Sequence, residues 1–294
     1  MATPLPDVSV RQWEYLVAVA ESPTWASAAA EVGVSTSALS QGLAELERRL
    51  GVPVFERDGR RKVLAPHARP VLDHARRVLA LSGDLTDWVA RTRDGSTGRV
   101  RVGMIDVAAL VHLAEPLRRF RIERADVDLR LVVAPSSELL DQLRRGDLDL
   151  AVGVRDDGPE GDLDAVDLLT EALAIYGPPG AVAGTPATWG PWVLFPTGSR
   201  TRSLIEAELR RRGAAVDVVA ESNQPEVLGE MVRLSIGWTV LPEAQATGGP
   251  EPLRRLVDEP LVHRHLALHR RAGAVVAPVV DELAHAVQRP VTTA

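Results

Sequence analysis

Cysteine is absent from this chain of 294 residues. Its absence excludes disulfide bonds, catalytic thiols and cysteine-based zinc sites. Long apolar runs are missing too, because no uninterrupted hydrophobic stretch approaches the roughly 20 residues that a membrane helix needs. The amino-terminal sequence MATPLPDVSVRQ lacks the basic region and following apolar stretch of a secretory signal. With 45% hydrophobic residues, the chain can form real cores, and we expect a globular cytoplasmic protein with no membrane partner.

Common enzyme motifs are also missing. The sequence has no glycine-rich phosphate loop, no Gly-x-Ser-x-Gly elbow and no His-Glu-x-x-His. His263, His265 and His269 would share one face of a strand, but no acid or fourth ligand accompanies them, so we expect no metal. No cofactor is implied, and an enzyme would lack a site.

Lysine occurs only as Lys62, so arginine supplies nearly all of the positive charge. The net charge of −6 argues superficially against a nucleic-acid partner, but the distribution of charge matters more than its sum. Residues 48–77 carry nine basic side chains against three acidic ones. This local excess favours phosphate binding. The alternative is a solvated charged face.

The first 50 residues contain three segments with the apolar spacing of amphipathic helices. The first runs from Trp13 at helical spacing, and Ser9 or Asp7 can cap its start. A second short stripe begins at Trp25. The third follows a tight glycine-containing turn, with Ser35 as the predicted N-cap and leucines at positions 39, 43, 46 and 50 facing inward.

Small polar side chains occupy the outward face of the third predicted helix at its start. Two helices joined by a tight turn, the second with such side chains, make a helix-turn-helix whose second helix enters the major groove of double-stranded DNA. Short hydroxyl side chains let the helix backbone come close to DNA, and the helix N-terminus attracts phosphate. The alternative is a capped helical hairpin in an all-α core. The predicted DNA contacts of this helix are Ser35, Thr36, Ser37, Ser40 and Gln41.

A basic hairpin follows this helix. Gly51 ends the helix, and two strand-like pieces flank a turn at Asp58-Gly59. A hairpin with a basic tip can act as a wing that reaches the DNA backbone or minor groove. A solvated basic hairpin is the alternative. The predicted wing contacts are Arg57, Arg60, Arg61 and Lys62.

The segment EYLVAVAESPTWASAAAEVGVSTSALSQGLAELERRLGVPVFER resembles the DNA-binding domain of the LysR-type transcriptional regulators. The resemblance is carried by Ala28-Ala29, Ser40, Leu46-Glu47, Gly51 and Phe55-x-Arg57. The chain departs from the family at two places. Thr36-Ser37 stand where Gln-Pro is common, and Ala65-Pro66-His67-Ala68 replace a Thr-x-Ala-Gly signature. These changes bear on which bases are read and on how the next helix begins.

The next predicted helix has a seam of its own, in which Val71, Ala75, Val78, Ser82, Leu85 and Val89 alternate at spacings of 4 and 3. This pattern indicates a dimerisation helix. A helix that packs only on its own domain is the alternative. The Gly/Ser/Thr-rich stretch that follows indicates a hinge.

Beyond residue 99 the order β-α-β-α-β favours a parallel sheet, and the theme then repeats, giving two α/β lobes. The resemblance implies an effector-binding domain built like a periplasmic binding protein, with the chain crossing twice between lobes near residues 162–167 and 268–271. The predicted fold class is α/β with an N-terminal winged helix-turn-helix. The predicted domains are 1–65 (DNA-binding), 66–92 (linker and dimerisation helix), 93–98 (hinge), 99–163 plus 271–290 (lobe 1) and 164–270 (lobe 2).

Ligands of open α/β sheets lie at the carboxyl ends of strands and at helix N-termini. The helix start at Thr197 combines hydroxyls, a glycine and arginines, which suits an anion such as a carboxylic or amino acid. Plain N-capping with surface arginines is the alternative. The predicted effector contacts are Met104, Ile105, Asp106, Ser136, Ser137, Thr197, Gly198, Ser199, Arg200, Arg202, Asn223 and Trp238.

The sequence thus predicts a sequence-specific DNA-binding regulator, dimeric or tetrameric, that a small anionic metabolite controls from between two lobes. The alternative is a solute-binding or ligand-sensing protein without a direct promoter role. An exported solute-binding protein would need a signal sequence and would not need residues 1–91. Retention on its own upstream DNA distinguishes the two.

Overall fold

The computed structural model describes residues 7–58, 61–94, 98–155, 161–248 and 251–289, without the side chains of residues 58, 61, 87 and 90–94. The chain divides into two compact units, one formed by residues 1–95 and 144–146 and the other by residues 96–143 and 147–294. Over the described ranges, no helix combines the length and the apolar character needed to cross a membrane.

The first unit opens with the three predicted helices, α1 (Val10–Glu21), α2 (Trp25–Glu31) and α3 (Thr36–Leu50). Each begins at a hydroxyl N-cap, namely Ser9, Thr24 and Ser35, whose side chain accepts a backbone N–H bond from the first turn. Leucines on the inward face of α3 at positions 39, 43 and 46 are fully buried. The helical periods and the caps at Ser9 and Ser35 are therefore confirmed.

Gly51 ends α3 in the left-handed conformation, with φ of +72°, which glycine adopts without the strain of a side chain. The chain then enters a two-stranded antiparallel hairpin of β1 (Phe55–Asp58) and β2 (Arg61–Leu64), in which Phe55 lies opposite Leu64. The predicted wing is present as this hairpin.

A 26-residue helix, α4 (Arg69–Asp94), follows a single 3₁₀ turn. Its first half packs on its own unit, since Leu72 and Ala75 are buried in the same core as Trp13 and the Trp13 ring meets His74 edge-on at 5.3 Å. Val71 and Val78 of the predicted seam are partly buried in that core as well. Farther along, Leu81, Leu85, Trp88 and Val89 are 40–53% exposed. The seam therefore divides into a half packed on its own unit and an exposed half.

The second unit is built on a seven-stranded mixed sheet with helices around it. Its strands are β3 (Arg99–Met104), β4 (Asp128–Val133), β5 (Leu150–Val154), β6 (Leu163–Gly177), β7 (Trp192–Leu194), β8 (Val218–Glu221), β9 (Thr239–Pro242), β10 (Arg254–Arg255) and β11 (Val262–Arg271). Its helices are α5 (Ala114–Glu123), α6 (Ser136–Arg145), α7 (Arg200–Arg211), α8 (Pro225–Arg233), α9 (Glu243–Thr247) and α10 (Pro278–Gln288).

The sheet runs in the order β10-β6-β11-β5-β3-β4, with β9 also paired to β6, while β7 and β8 form a separate parallel pair. The pairs β3–β4 and β3–β5 are parallel, as the β-α-β-α-β order predicted. The long strands β6 and β11 are antiparallel to each other, with a bulge between Leu266 and Ala267.

Two hydrophobic cores define two lobes within this unit, and β6 and β11 run through both. Along β6 the change of core lies between Leu169 and Leu173, and along β11 it lies between Val262 and Leu266. The predicted crossings near 162–167 and 268–271 lie a few residues away from these points. The two strands continue without a break, so no turn residue marks the place in the sequence. The predicted domain bounds stay predictions.

Candidate functional site

The first candidate site is the exposed face at the start of α3. Of the predicted contacts, Ser35, Thr36, Ser37, Ser40 and Gln41 are all exposed. The Ser35 hydroxyl accepts from the Ala38 N–H at 3.1 Å, so it caps the helix, while the other four side chains project from its first turns. The five positions form one polar surface whose opposite side is held by fully buried leucines.

The hairpin beside α3 presents its basic residues unequally. Arg57 is exposed. The Lys62 ammonium lies 5.3 Å from the centre of the Trp25 ring, 5.1 Å from that of Phe55 and 3.5 Å from Glu47 Oε2. Arg60 lies outside the described residues, as does the side chain of Arg61.

Glu47 secures the base of this hairpin. Its Oε1 accepts hydrogen bonds from the backbone N–H groups of Val54 and Phe55, both at 2.9 Å. Its other oxygen faces Lys62. The sole lysine of the chain therefore has a carboxylate partner and two aromatic faces within the protein, which favour a fixed position for its ammonium.

The second candidate site is a cavity of about 600 Å³ in the second unit, lined from both lobes. Seven predicted effector contacts line it: Ile105, Asp106, Ser136, Ser137, Ser199, Arg200 and Asn223. Five others are not among the lining residues: Met104, Thr197, Gly198, Arg202 and Trp238.

Three of these five residues are buried elsewhere in the second unit. Met104 is fully buried in the first core, and Trp238 packs edge-on against Trp192 in the second. Arg202 is buried as well, and its guanidinium donates to the Phe195 carbonyl at 2.7 Å. Because residues two apart on a helix point about 200° apart, Arg200 faces the cavity and Arg202 faces away from it.

Sequence reasoning missed two charged lining residues, Glu226 and Arg264. Arg264 is only 3% exposed. It lies between Val262 and Leu266 on β11, at the spacing of 2 that puts three residues on one strand face. An arginine on an otherwise apolar strand face could have indicated a buried polar site.

Arg264 pairs with Glu171 directly across the two long strands, at the point where the chain passes between the cores. Its Nη2 lies 2.7 Å from Glu171 Oε2, and its Nη1 donates to the Thr201 hydroxyl at 2.9 Å. His112 Nε2 lies 2.7 Å from the other Glu171 oxygen. Burial raises the pKa of Glu171, but the hydrogen bond with His112 and the charge of Arg264 outweigh it, and the pKa is lowered. The pair is thus ionised and internally neutral.

Asp106 differs from Glu171 in that its pKa is raised above the ordinary value. It follows β3, and its Oδ2 accepts a hydrogen bond of 2.8 Å from the Gln245 side-chain amide of the other lobe. Burial raises the pKa of this carboxyl group, and the charge of Glu226 raises it further. These effects outweigh the lowering by the Val107 backbone N–H, the charge of Arg264 and the Gln245 amide. Asp106 is therefore a carboxyl group that lacks full charge compensation.

The helix start at Ser136 also faces the cavity. Its buried hydroxyl accepts from the Val154 N–H at 3.0 Å, which joins the start of α6 to the end of β5. On the other lobe, Ser199 caps α7, and the Arg200 guanidinium donates to the Val154 carbonyl at 3.1 Å. Two helix starts thus line one cavity and can supply donors to a ligand.

The three histidines of β11 do not share one environment. His263 and His265 are exposed, whereas His269 is fully buried, because the bulge at Leu266/Ala267 interrupts the alternation. The described ranges contain no group of three or more histidine, cysteine, aspartate or glutamate side chains that could hold a metal ion.

Comparison with known families matches both units. Residues 10–69 match the model of the bacterial regulatory helix-turn-helix proteins of the lysR family, and residues 93–290 match that of the LysR substrate binding domain. Among curated proteins, the uncharacterised HTH-type transcriptional regulator YfeR of Shigella flexneri is 30% identical over 94% of this chain and 92% of its own. The HTH-type transcriptional regulator IlvR of Caulobacter vibrioides is 28% identical over 91% and 94%.

Solved structures agree in fold. Full-length OxyR from Pseudomonas aeruginosa superposes with a TM-score of 0.65 at 20% identity, covering 97% of this chain and 96% of its own. CbnR, a LysR family transcriptional regulator, gives 0.62 at 20% identity over 96% and 99%. With an N-terminal helix-turn-helix, a two-lobed effector-binding domain and both family models matched, this chain belongs to the LysR family of DNA-binding transcriptional regulators.

Proposed function

We propose that this regulator reads a specific operator with the exposed start of α3. The observation that carries the proposal is that Thr36, Ser37, Ser40 and Gln41 are all exposed on a helix whose other side is a fully buried leucine stripe. Ser35 holds the first turn as its cap. Short polar side chains at a helix start can reach base edges in the major groove.

Gel-shift competition with the region upstream of its own gene tests this proposal. The chain should prefer that duplex over a scrambled one by about a thousandfold or more at physiological salt. Gln41→Ala should reduce the preference, while Gln288→Ala, a change of an exposed glutamine in the effector-binding unit, should leave it unchanged. Equal retention of both duplexes would favour the alternative, a ligand-sensing protein without a direct promoter role.

The hairpin contacts are proposed to be phosphate contacts that do not depend on sequence. Arg57 is exposed and basic, Arg61 is the first residue of β2, and Arg60 precedes it in the sequence. Lys62, whose exposed ammonium lies beside Glu47 and two aromatic rings, contributes its positive charge. CbnR, a relative in fold, has been crystallised with its target DNA, which supports a DNA-bound state for this architecture.

A small metabolite in the cavity between the two lobes is proposed to control DNA binding. Support comes from the lining by both lobes and from the two helix starts at Ser136 and Ser199. A ligand that touches both lobes binds some lobe arrangements better than others, and only such differential affinity can shift the equilibrium between them. Arg200 is proposed to hold a negatively charged group of that ligand.

Self-association through the second half of α4 is proposed as well. Leu81, Leu85, Trp88 and Val89 form an exposed apolar stripe at helical spacing. The expected unit is a dimer, with a tetramer formed through further contacts of the effector-binding units. Leu85→Glu with Val89→Glu should lower the mass measured by light scattering, because a charge without a partner would be buried. Thr86→Glu is the control, because Thr86 is exposed on the same helix but does not belong to the apolar stripe. An unchanged mass in the double variant would contradict the proposal.

We further propose that the chain has no enzymatic activity and works in the cytoplasm, where a bacterial regulator meets its operator. Membership of a family of transcriptional regulators supports both statements.

A further inference from the structure

The charges around the cavity are not those of a simple anion site. Among the described lining residues are two carboxylates, Asp106 and Glu226, and two guanidinium groups, Arg200 and Arg264. Glu171, just behind the lining, neutralises Arg264 at 2.7 Å. The two lining carboxylates then outnumber the guanidinium of Arg200, and a ligand with only negative charge would leave Asp106 without a counter-charge.

Asp106 is the group that this arrangement leaves least compensated. Its hydrogen-bond donors are neutral, the Gln245 amide and the Val107 backbone N–H. The charges that act on it are those of Arg264, already paired, and of the like-charged Glu226. Burial raises its pKa, as expected for a carboxylate that has lost water without gaining a cation. A positive group placed in the cavity would supply the missing charge.

Other lining residues suit a carboxylate and an apolar group. The starts of α6 and α7 contribute Ser136, Ser137 and Ser199 beside Arg200, and helix starts with hydroxyls and an arginine bind carboxylates. Much of the remaining lining is aliphatic or aromatic: Ile105, Leu110, Val133, Ala134, Val154 and Phe195. These side chains favour a hydrocarbon group over a second polar one.

We infer that the cavity binds a zwitterion, an α-amino acid with an apolar side chain. Its ammonium group lies against Asp106 and Glu226, and its carboxylate against Arg200 and the two helix starts. This assignment rests on the proposed function of the cavity as the effector site, and it adds the ligand's charge and chemical class.

Calorimetric titration of the full chain tests the charge directly, with probes that share a carbon skeleton. For the leucine skeleton the probes are L-leucine, 3-methylbutylamine and 4-methylpentanoate, which are a zwitterion, a cation and an anion. The valine, methionine and phenylalanine skeletons are treated in the same way. The zwitterion of at least one skeleton should bind about tenfold tighter than both of its singly charged counterparts. An acid that binds as tightly as its amino acid, or saturable binding by none of the zwitterions, overturns the inference.

Variants then assign the two ends of the ligand. Asp106→Asn should weaken the zwitterion about tenfold without weakening the acid, whose repulsion by a carboxylate it removes. Arg200→Gln should weaken the zwitterion and the acid without weakening the amine. Glu226→Gln should act like Asp106→Asn to a smaller degree, because Glu226 is exposed. Glu115→Gln is its matched control, since Glu115 is also in the first turn of a helix but does not line the cavity. Unchanged zwitterion binding in Asp106→Asn contradicts the inference.

Ser137→Trp separates failure of the ligand class from failure of the site. The exposed Ser137 lines the cavity, and an indole there occupies ligand space. Loss of zwitterion binding in this variant, with operator binding retained, supports the inference. An acid whose tight binding disappears in Ser137→Trp overturns the charge assignment but leaves the effector site intact. Zwitterion or acid binding that persists in Ser137→Trp overturns both.

Discussion

Removing Arg264 should destabilise the effector-binding unit more than removing any exposed arginine. Arg264 and Glu171 have side chains only 3% and 6% exposed and approach within 2.7 Å. In Arg264→Gln the Glu171 carboxylate keeps His112 as its neighbour but loses the charge opposite it, and the Thr201 hydroxyl loses a donor. Breaking a buried pair in this way costs about 3–5 kcal/mol. The remaining contact with His112 places the expected loss at the lower end of that range.

Urea unfolding followed by circular dichroism measures this loss in the full chain at neutral pH. Arg130→Gln is the matched control, since Arg130 pairs with Asp128 at 3.2 Å on the surface, with 63% of its side chain exposed, and should change the midpoint little. The double variant Arg264→Gln with Glu171→Gln should be about 1–2 kcal/mol more stable than Arg264→Gln alone, because no uncompensated charge then stays buried.

The same pair predicts a pH dependence. The folded-state pKa of Glu171 lies below its ordinary value of 4.5, so its contribution to stability is complete above that value and is lost as pH falls through the lowered pKa. The difference between wild type and Arg264→Gln should therefore shrink in acid. A loss below about 1 kcal/mol at neutral pH, or a double variant no more stable than the single one, would refute a buried ion pair at this position.

Two predictions concern the DNA-binding unit. Gly42→Val should cost about 1–3 kcal/mol by thermal unfolding, because a Cβ at Gly42 would lie 2.7 Å from the Tyr15 ring; Gly83→Ala, with no atom within 4 Å of its Cβ, is the control and should be neutral or stabilising. Glu47→Ala should cost about 1.5–3 kcal/mol, because it removes the acceptor of two backbone bonds that hold the hairpin. It should also weaken binding to operator and scrambled duplexes alike in gel shifts, and a selective loss of operator binding would argue against this role.

The helices of the DNA-binding unit could be predicted because their signals are local. Ser9 and Ser35 accept bonds from residues three positions on, and the leucine stripe of α3 reads directly as a buried face. The seam of α4 was harder, since spacing alone does not reveal which partner covers it. Its first half packs on its own unit, and only the second half is exposed.

Other parts of the fold depend on β-strand pairing between segments far apart in the sequence and could not be predicted locally. Strand β6 begins at Leu163, although Asp164 and Asp167 argue locally against a strand, because pairing with β11 holds this segment. Pairing over such separations depends on which strands meet, and no short window of sequence contains that information.

Local sequence signals also identified only some of the residues that line the cavity. Helix-start reasoning found Ser136, Ser199 and Arg200, all of which line it. It also predicted Arg202, which does not line the cavity and whose guanidinium donates to the Phe195 carbonyl. Arg264 meets Glu171 across 93 positions of chain, so its role emerges only once β6 and β11 are paired.

The central claim is that the start of α3 reads bases while the hairpin holds the backbone, and affinity measured across a range of salt concentrations tests it most directly. Fluorescence anisotropy of the full chain would be recorded with its own upstream region and with a scrambled duplex, for wild type, Ser37→Ala and Arg57→Ala. Ser37→Ala should cost about 1–3 kcal/mol on the operator only, whereas Arg57→Ala should weaken both duplexes equally and flatten the salt slope by about one. Equal losses of specificity from both changes, or no preference of the wild type for its own upstream region, would contradict the account.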